Sequence, residues 1–150
     1  MTDHFSSGEE HHGVNKMFWV IAIAALIWNL MGLISFLVYF NLSDEAVASM
    51  SEARRLEYEN FPLWLIVAYG TAVVTGVLGS IALLLKKSWA VHLFITSFIA
   101  VGIQFSFGVM GSVAVQEDGA GALVVPVLVI VFAGLLWYYS KKCVSKGWLQ

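Results

Sequence analysis

The stretch Pro62–Leu85 reads PLWLIVAYGTAVVTGVLGSIALLL and carries no charged residue across its 24 positions. About 20 consecutive apolar residues cross a bilayer core as one helix, so this run is long enough with some tilt. Its small residues fall in a pattern. Ala68, Ala72, Gly76 and Ser80 recur at every fourth position, with Thr75 and Gly79 beside them. Such a face lets a second helix backbone approach closely, where packing rather than water exclusion drives association. The run predicts a central membrane helix with packing residues Ala68, Ala72, Gly76, Gly79 and Ser80, serving within the chain or between copies of it.

Three further apolar runs surround it, and together they give the fold class. Spans are expected at about 17–40, 62–85, 89–113 and 122–140, with a polar tail over 1–16 and a basic tail over 141–150. The expectation is an all-α, polytopic membrane protein: one antiparallel four-helix bundle over residues 17–140. Composition agrees. The 150 residues are 59% hydrophobic and 12% charged, whereas a typical soluble domain is about 25% charged. A net charge of -2 carries no nucleic-acid signal. The single cysteine, Cys143, excludes an internal disulfide and any CxxC redox or zinc site, and reads as an inert thiol beside the membrane.

Upstream, residues 17–40 read MFWVIAIAALIWNLMGLISFLVYF. The run is far longer than a signal-peptide core and the preceding tail is not basic, so it reads as a span and not a cleavable leader. Asn29 lies about 18 Å along it from Met17, close to the bilayer midplane. An amide at that depth needs a partner, either another helix or a solute. Between the first two spans, residues 41–61 hold Asp44, Glu45, Glu52, Glu57 and Glu59 against Arg54 and Arg55. Ser43 suits an N-cap, Arg55 and Glu59 are four apart, and Val47, Met50, Ala53 and Leu56 give an apolar edge. This predicts a short amphipathic helix on the membrane surface in the first external loop.

Downstream, Lys86-Lys87-Ser88-Trp89 is too short to be anything but a tight turn between antiparallel neighbours. In the third span His92, Thr96, Ala100, Gln104 and Gly108 recur every fourth residue and predict a polar face turned to the bundle. His92 is the only ionisable side chain well inside a span, which marks it for a proton or ligand role; its nearness to the Lys-Lys boundary equally lets it reach water. Residues 112–121, SVAVQEDGAG, predict an acidic external loop. The last span ends in Trp137-Tyr138-Tyr139, an interfacial aromatic band. Lys16, Lys86, Lys87, Lys141, Lys142 and Lys146 lie on one side of this topology and only Arg54 and Arg55 on the other, which places both termini in the cytoplasm.

Catalytic patterns are absent. The sequence has no nucleophile with a neighbouring base, no HExxH, no phosphate-binding glycine loop and no intramembrane carboxylate pair, so no enzyme activity and no cofactor are expected. A second membrane histidine for haem is also missing. His4, His11 and His12 beside Asp3, Glu9 and Glu10 match no closed metal site. What stands out is a neutral polar layer. Asn29, Thr71, Thr75 and Gln104 fall in the central half of three spans, near Trp28, Trp64 and Tyr69. Amides with aromatic faces suit an uncharged polyhydroxyl solute, and equally suit helix-to-helix bonding.

Trp28-Asn29-Leu30-Met31-Gly32, Phe61-Pro62-Leu63-Trp64, Gly76-Val77-Leu78-Gly79-Ser80, the run Leu83–Ala90 and Gln104 together resemble a family of small bacterial four-span membrane proteins often labelled sugar transporters. The resemblance covers about residues 17–110 and implies a bacterial inner-membrane location and sugar transport. Two functions follow as expectations. One is a non-enzymatic accessory bundle that pairs with itself or another membrane protein through the small-residue row. The other is an oligomeric facilitator of a small neutral solute, with candidate contacts Asn29, Thr71, Thr75, Gln104, Trp28 and His92.

Overall fold

The computed structural model describes residues 14–106 and 112–150, and no strand occurs among them. The elements are α1 (Lys16–Tyr39), α2 (Asp44–Ala48), α3 (Glu52–Glu59), α4 (Leu63–Leu84), α5 (Ala90–Gln104), α6 (Val113–Asp118), a 3₁₀ turn (Gly119–Leu123) and α7 (Val124–Ser145). Local chemistry sets their starts. The Asn15 side chain accepts from the Met17 N–H, Ser43 caps α2, Ser51 caps α3 and Ser112 caps α6. Pro62 precedes α4, where its missing N–H costs nothing.

Helices α4 and α7 end in the same way. Beyond α4, Lys86 takes φ 55° and the Lys87 N–H reaches back to the Ala82 carbonyl. Beyond α7, Gly147 takes φ 70° and the Trp148 N–H reaches back to Cys143. Both are Schellman closures, which turn the chain sharply and satisfy carbonyls the helix leaves open. The two ends then meet. Ser88 donates to the Gln150 carbonyl and Gln150 donates to the Lys86 carbonyl, each at 2.8 Å.

Helix α4 is central: it packs on α1 and on α5, and α5 packs on α7. The contacts are side chains seated on small residues. Phe36 sits on Gly70 and Asn29 on Gly76 from the α1 side; Phe94 sits on Gly79 from α5. Between α5 and α7, Phe98 sits on Gly134 and stacks on Trp137 at 6.1 Å. Helices α1 and α7 close the ring mainly through aromatic contacts, Trp28 on Phe132 at 4.6 Å and Phe18 on Tyr139 at 6.5 Å. The best-buried cluster is at the end holding the Lys86 turn. There Phe18, Ala22, Ala82, Leu83, Ala90, Phe94, Cys143 and Leu149 pack together. Lys86, beside Trp19, and Lys146, beside Trp148, ring the same end.

The opposite end is acidic and aromatic. Arg54 of α3 binds Glu117 and Asp118 at the end of α6, the Ser51 hydroxyl donates to Glu117, and the Glu57 carboxylate accepts from the Val113 N–H. The two carboxylates beside Arg54, Glu117 foremost, hold its guanidinium even further above its ordinary range. Tyr39, Phe40, Tyr58, Phe61 and Tyr69 form a ring cluster below this clasp.

The structure bears on three of the sequence expectations. Helical runs long and apolar enough to cross a membrane number three among the described residues: Lys16–Tyr39, Leu63–Leu84 and Val113–Ser145. Helix α5 has 15 residues and runs on into a π-helical turn at 105–106. Part of the expected 89–113 span, with Gly108, lies outside the described residues. The first connection forms two short helices, broken at Ser49–Ser51, because Ser51 starts a cap of its own. The acidic stretch from Ser112 is helical and continues through the 3₁₀ turn into α7.

Candidate functional site

Asn29 sits midway along α1. Its amide nitrogen donates to the Ala25 carbonyl at 2.8 Å and to the Ser80 hydroxyl oxygen of α4 at 3.2 Å. The buried Ser80 hydroxyl donates in turn to the Gly76 carbonyl at 2.9 Å. This arrangement needs glycine at 76: a Cβ there would stand 2.1 Å from Asn29 Oδ1. On the other flank of α4, the Ser97 hydroxyl of α5 donates to the Ala72 carbonyl at 2.8 Å. These bonds join three helices at places where hydrocarbon would leave the groups unpaired.

Beside them lies a cavity of about 240 Å³ between α1, α4, α5 and α7. It exists because the facing residues are small. Gly32, Ala72, Ser97 and Ala133 are among its lining residues, and their short side chains leave space between the helices. Trp28, Met31 and Ser35 form the α1 wall, Tyr69 and Val73 that of α4, and Phe94, Val101 and Gln104 that of α5. Val125, Val129, Ala133 and Leu136 form the α7 wall. No Asp, Glu, Lys, Arg or His is among the lining residues. A smaller hollow of about 160 Å³ shares Tyr69, Val101, Gln104, Val125 and Val129.

Gln104 differs from Asn29. It lies in the last turn of α5, half-buried, and its amide makes no hydrogen bond with any described residue. Asn29 and Gln104 therefore line one cavity without bonding each other. Asn29 is bound into the helix packing, and Gln104 leaves two N–H donors and a carbonyl without a partner among the described residues.

The expected polar layer is brought together only in part. Trp28, Asn29 and Gln104 line the cavity. Thr71 is exposed, and the Thr75 hydroxyl donates to the Thr71 carbonyl of its own helix at 2.6 Å, so neither belongs to the layer. His92 is exposed near the Lys86 turn, and its neighbour Thr96 donates back to the His92 carbonyl. The cause is helical geometry. Each four-residue step overshoots a turn by about 40°, so His92 and Gln104 are about 120° apart around α5. The buried face runs through Ala90, Phe94, Ser97 and Val101 to Gln104, alternating steps of four and three. That alternation was the available signal for Phe94 and Ser97. The α7 wall offered none, being apolar on every side.

Of the packing row, Ala72, Gly76, Gly79 and Ser80 are buried inside the chain, and Ala68 is half-buried near the acidic end. Cys143 is buried in the basic-end cluster. The histidines at 4, 11 and 12 lie outside the described residues, among which no cluster fit to hold a metal occurs. Comparisons with protein-family models, curated proteins and solved structures return no match.

Proposed function

We propose that this chain is a non-enzymatic protein of a bacterial inner membrane, crossing it four times as an antiparallel bundle, and that its cleft binds a small uncharged solute. The observation that carries this reading is Gln104: an amide without a described partner, lining a cavity with no charged residue. A polar group at that depth is costly unless something satisfies it. Helix α5 belongs to the crossing expected over 89–113, and α3 lies on the membrane surface with Leu56 turned to lipid. Gathering of the lysines at one end supports cytoplasmic termini.

Uptake into proteoliposomes and equilibrium binding, run across a panel of uncharged solutes, test the reading. Saturable binding or uptake above empty vesicles is expected, and its loss in Ala133→Phe, which fills the cleft. A panel with no saturable component would end the proposal.

A second reading, an accessory bundle that associates with a copy of itself, has one observation in its favour. Val20, Ile23, Ile27 and Ile34 form an exposed apolar stripe along α1 at alternating helical spacing. The small-residue row of α4 cannot serve this purpose, because α1 and α5 already cover it. Disulfide trapping through Ile27→Cys in native membranes distinguishes the two: a crosslinked dimer supports association, and its absence removes it.

A further inference from the structure

We infer that the cleft selects an uncharged amphiphile, a molecule with one hydrogen-bonding head and an apolar body, and not a polyhydroxyl sugar. This rests on the reading of the cleft as a solute site and specifies its ligand class.

Size comes first. A cavity of about 150 Å³ lined by apolar side chains holds benzene, so about 240 Å³ takes roughly ten heavy atoms by the same scale. Polarity comes second. Asn29 has its amide nitrogen directed at Ala25 and Ser80, and its Oδ1 pressed against Gly76. The Ser97 hydroxyl donates to Ala72, and that of Ser35 donates to Met31. The polar capacity left is Asn29 Oδ1, which accepts no hydrogen bond from a described residue, together with Gln104 and Tyr69, the two polar residues lining both the cavity and the smaller hollow beside it. Much of the remaining lining is apolar, including Phe94, Val129, Ala133 and Leu136. A hexose would turn hydroxyls on every side toward these groups and leave most of them unpaired, a penalty for each one. A single head at Gln104, with a ring or short chain toward Phe94 and Leu136, brings far fewer hydroxyls that would go unpaired. The lack of any charged lining residue excludes an ionic head.

Three probes test this on the full chain reconstituted in lipid: 2-naphthol, which is neutral and has one hydroxyl; 2-naphthalenesulfonate, the same ring with a charge; and glucose. Saturable 2-naphthol binding above lipid partitioning is expected, with no saturable component for the other two. Gln104→Leu should weaken 2-naphthol at least tenfold while its thermal midpoint stays at or above wild type, because the amide bonds to no described residue. Ala133→Phe should abolish binding. Saturable glucose binding that depends on Gln104, with 2-naphthol merely partitioning, would overturn the amphiphile class and leave the solute site standing. Saturable binding of the sulfonate, or 2-naphthol binding indifferent to Gln104→Leu, would also overturn it. No saturable binding of any uncharged probe would overturn both the class and the site.

Discussion

Residue 76 has no side chain, and that decides how α1 meets α4. The Asn29 amide occupies the space a Cβ would need, with Oδ1 2.1 Å from that position. Gly76→Ala must push the amide aside and strain its bond to Ser80. A loss of about 2–3 kcal/mol is expected from overpacking, read as a lower thermal midpoint in detergent. Gly102→Ala is the matching control. Nothing lies within 4 Å of a Cβ there, so removing a helix-interior glycine should raise stability by roughly 0.5–1 kcal/mol. Opposite signs at two glycines in neighbouring helices would show that contact, not helix propensity, governs the first. Asn29 stood out in the sequence as an amide deep in an apolar run, and its bond to Ser80 follows from that need. Gln104 stood out for the same reason, but its lack of a described partner is a fact of geometry that spacing alone does not reveal.

At the scale of elements, apolar runs were easy to read because membrane helices differ from everything else in composition. Helices α1 and α4 coincide with the first two runs. Faces were harder. A four-residue repeat drifts around the helix, so His92 fell away from the cleft while Gln104 stayed with it, and Thr71 and Thr75 lie off the face of α4 that carries Ala72. The stretch after Ser112 shows a different effect: its glycines signal a loop, yet a serine cap and tertiary bonds from Glu57 and Arg54 accompany a helical turn there. The end of α7 offers a test at this scale. Gly147 holds φ 70° with open space around its Cα, so Gly147→Ala costs only backbone strain, about 1 kcal/mol. Leu149 is 4% exposed in the cluster with Phe18 and Cys143. Leu149→Ala should cost more, about 2–4 kcal/mol, in the same thermal assay.

For the molecule as a whole, the two ends are held by different physics. One is closed by buried apolar and aromatic side chains; the other joins an aromatic ring cluster to the exposed clasp of Arg54 on Glu117 and Asp118. Exposed ion pairs are screened by salt and buried packing is not. Arg54→Ala should therefore leave thermal stability nearly unchanged at high salt. It should raise hydrogen exchange over residues 112–118 at low salt, with no change around residues 143–150. Equal exchange at both ends would refute this division.

Docking of residues 148–150 against Phe18 and the Lys86 turn also constrains the order of assembly. The hairpin of α4 and α5 is joined by a short turn and can pair while later residues are still within the ribosome. Phe18 must wait for Trp148 and Leu149, made more than a hundred residues afterwards. Until they emerge, the first helix has its Asn29 anchor on α4 but an unfinished lower contact. A translocon or insertase that shelters α1 during synthesis would meet that need.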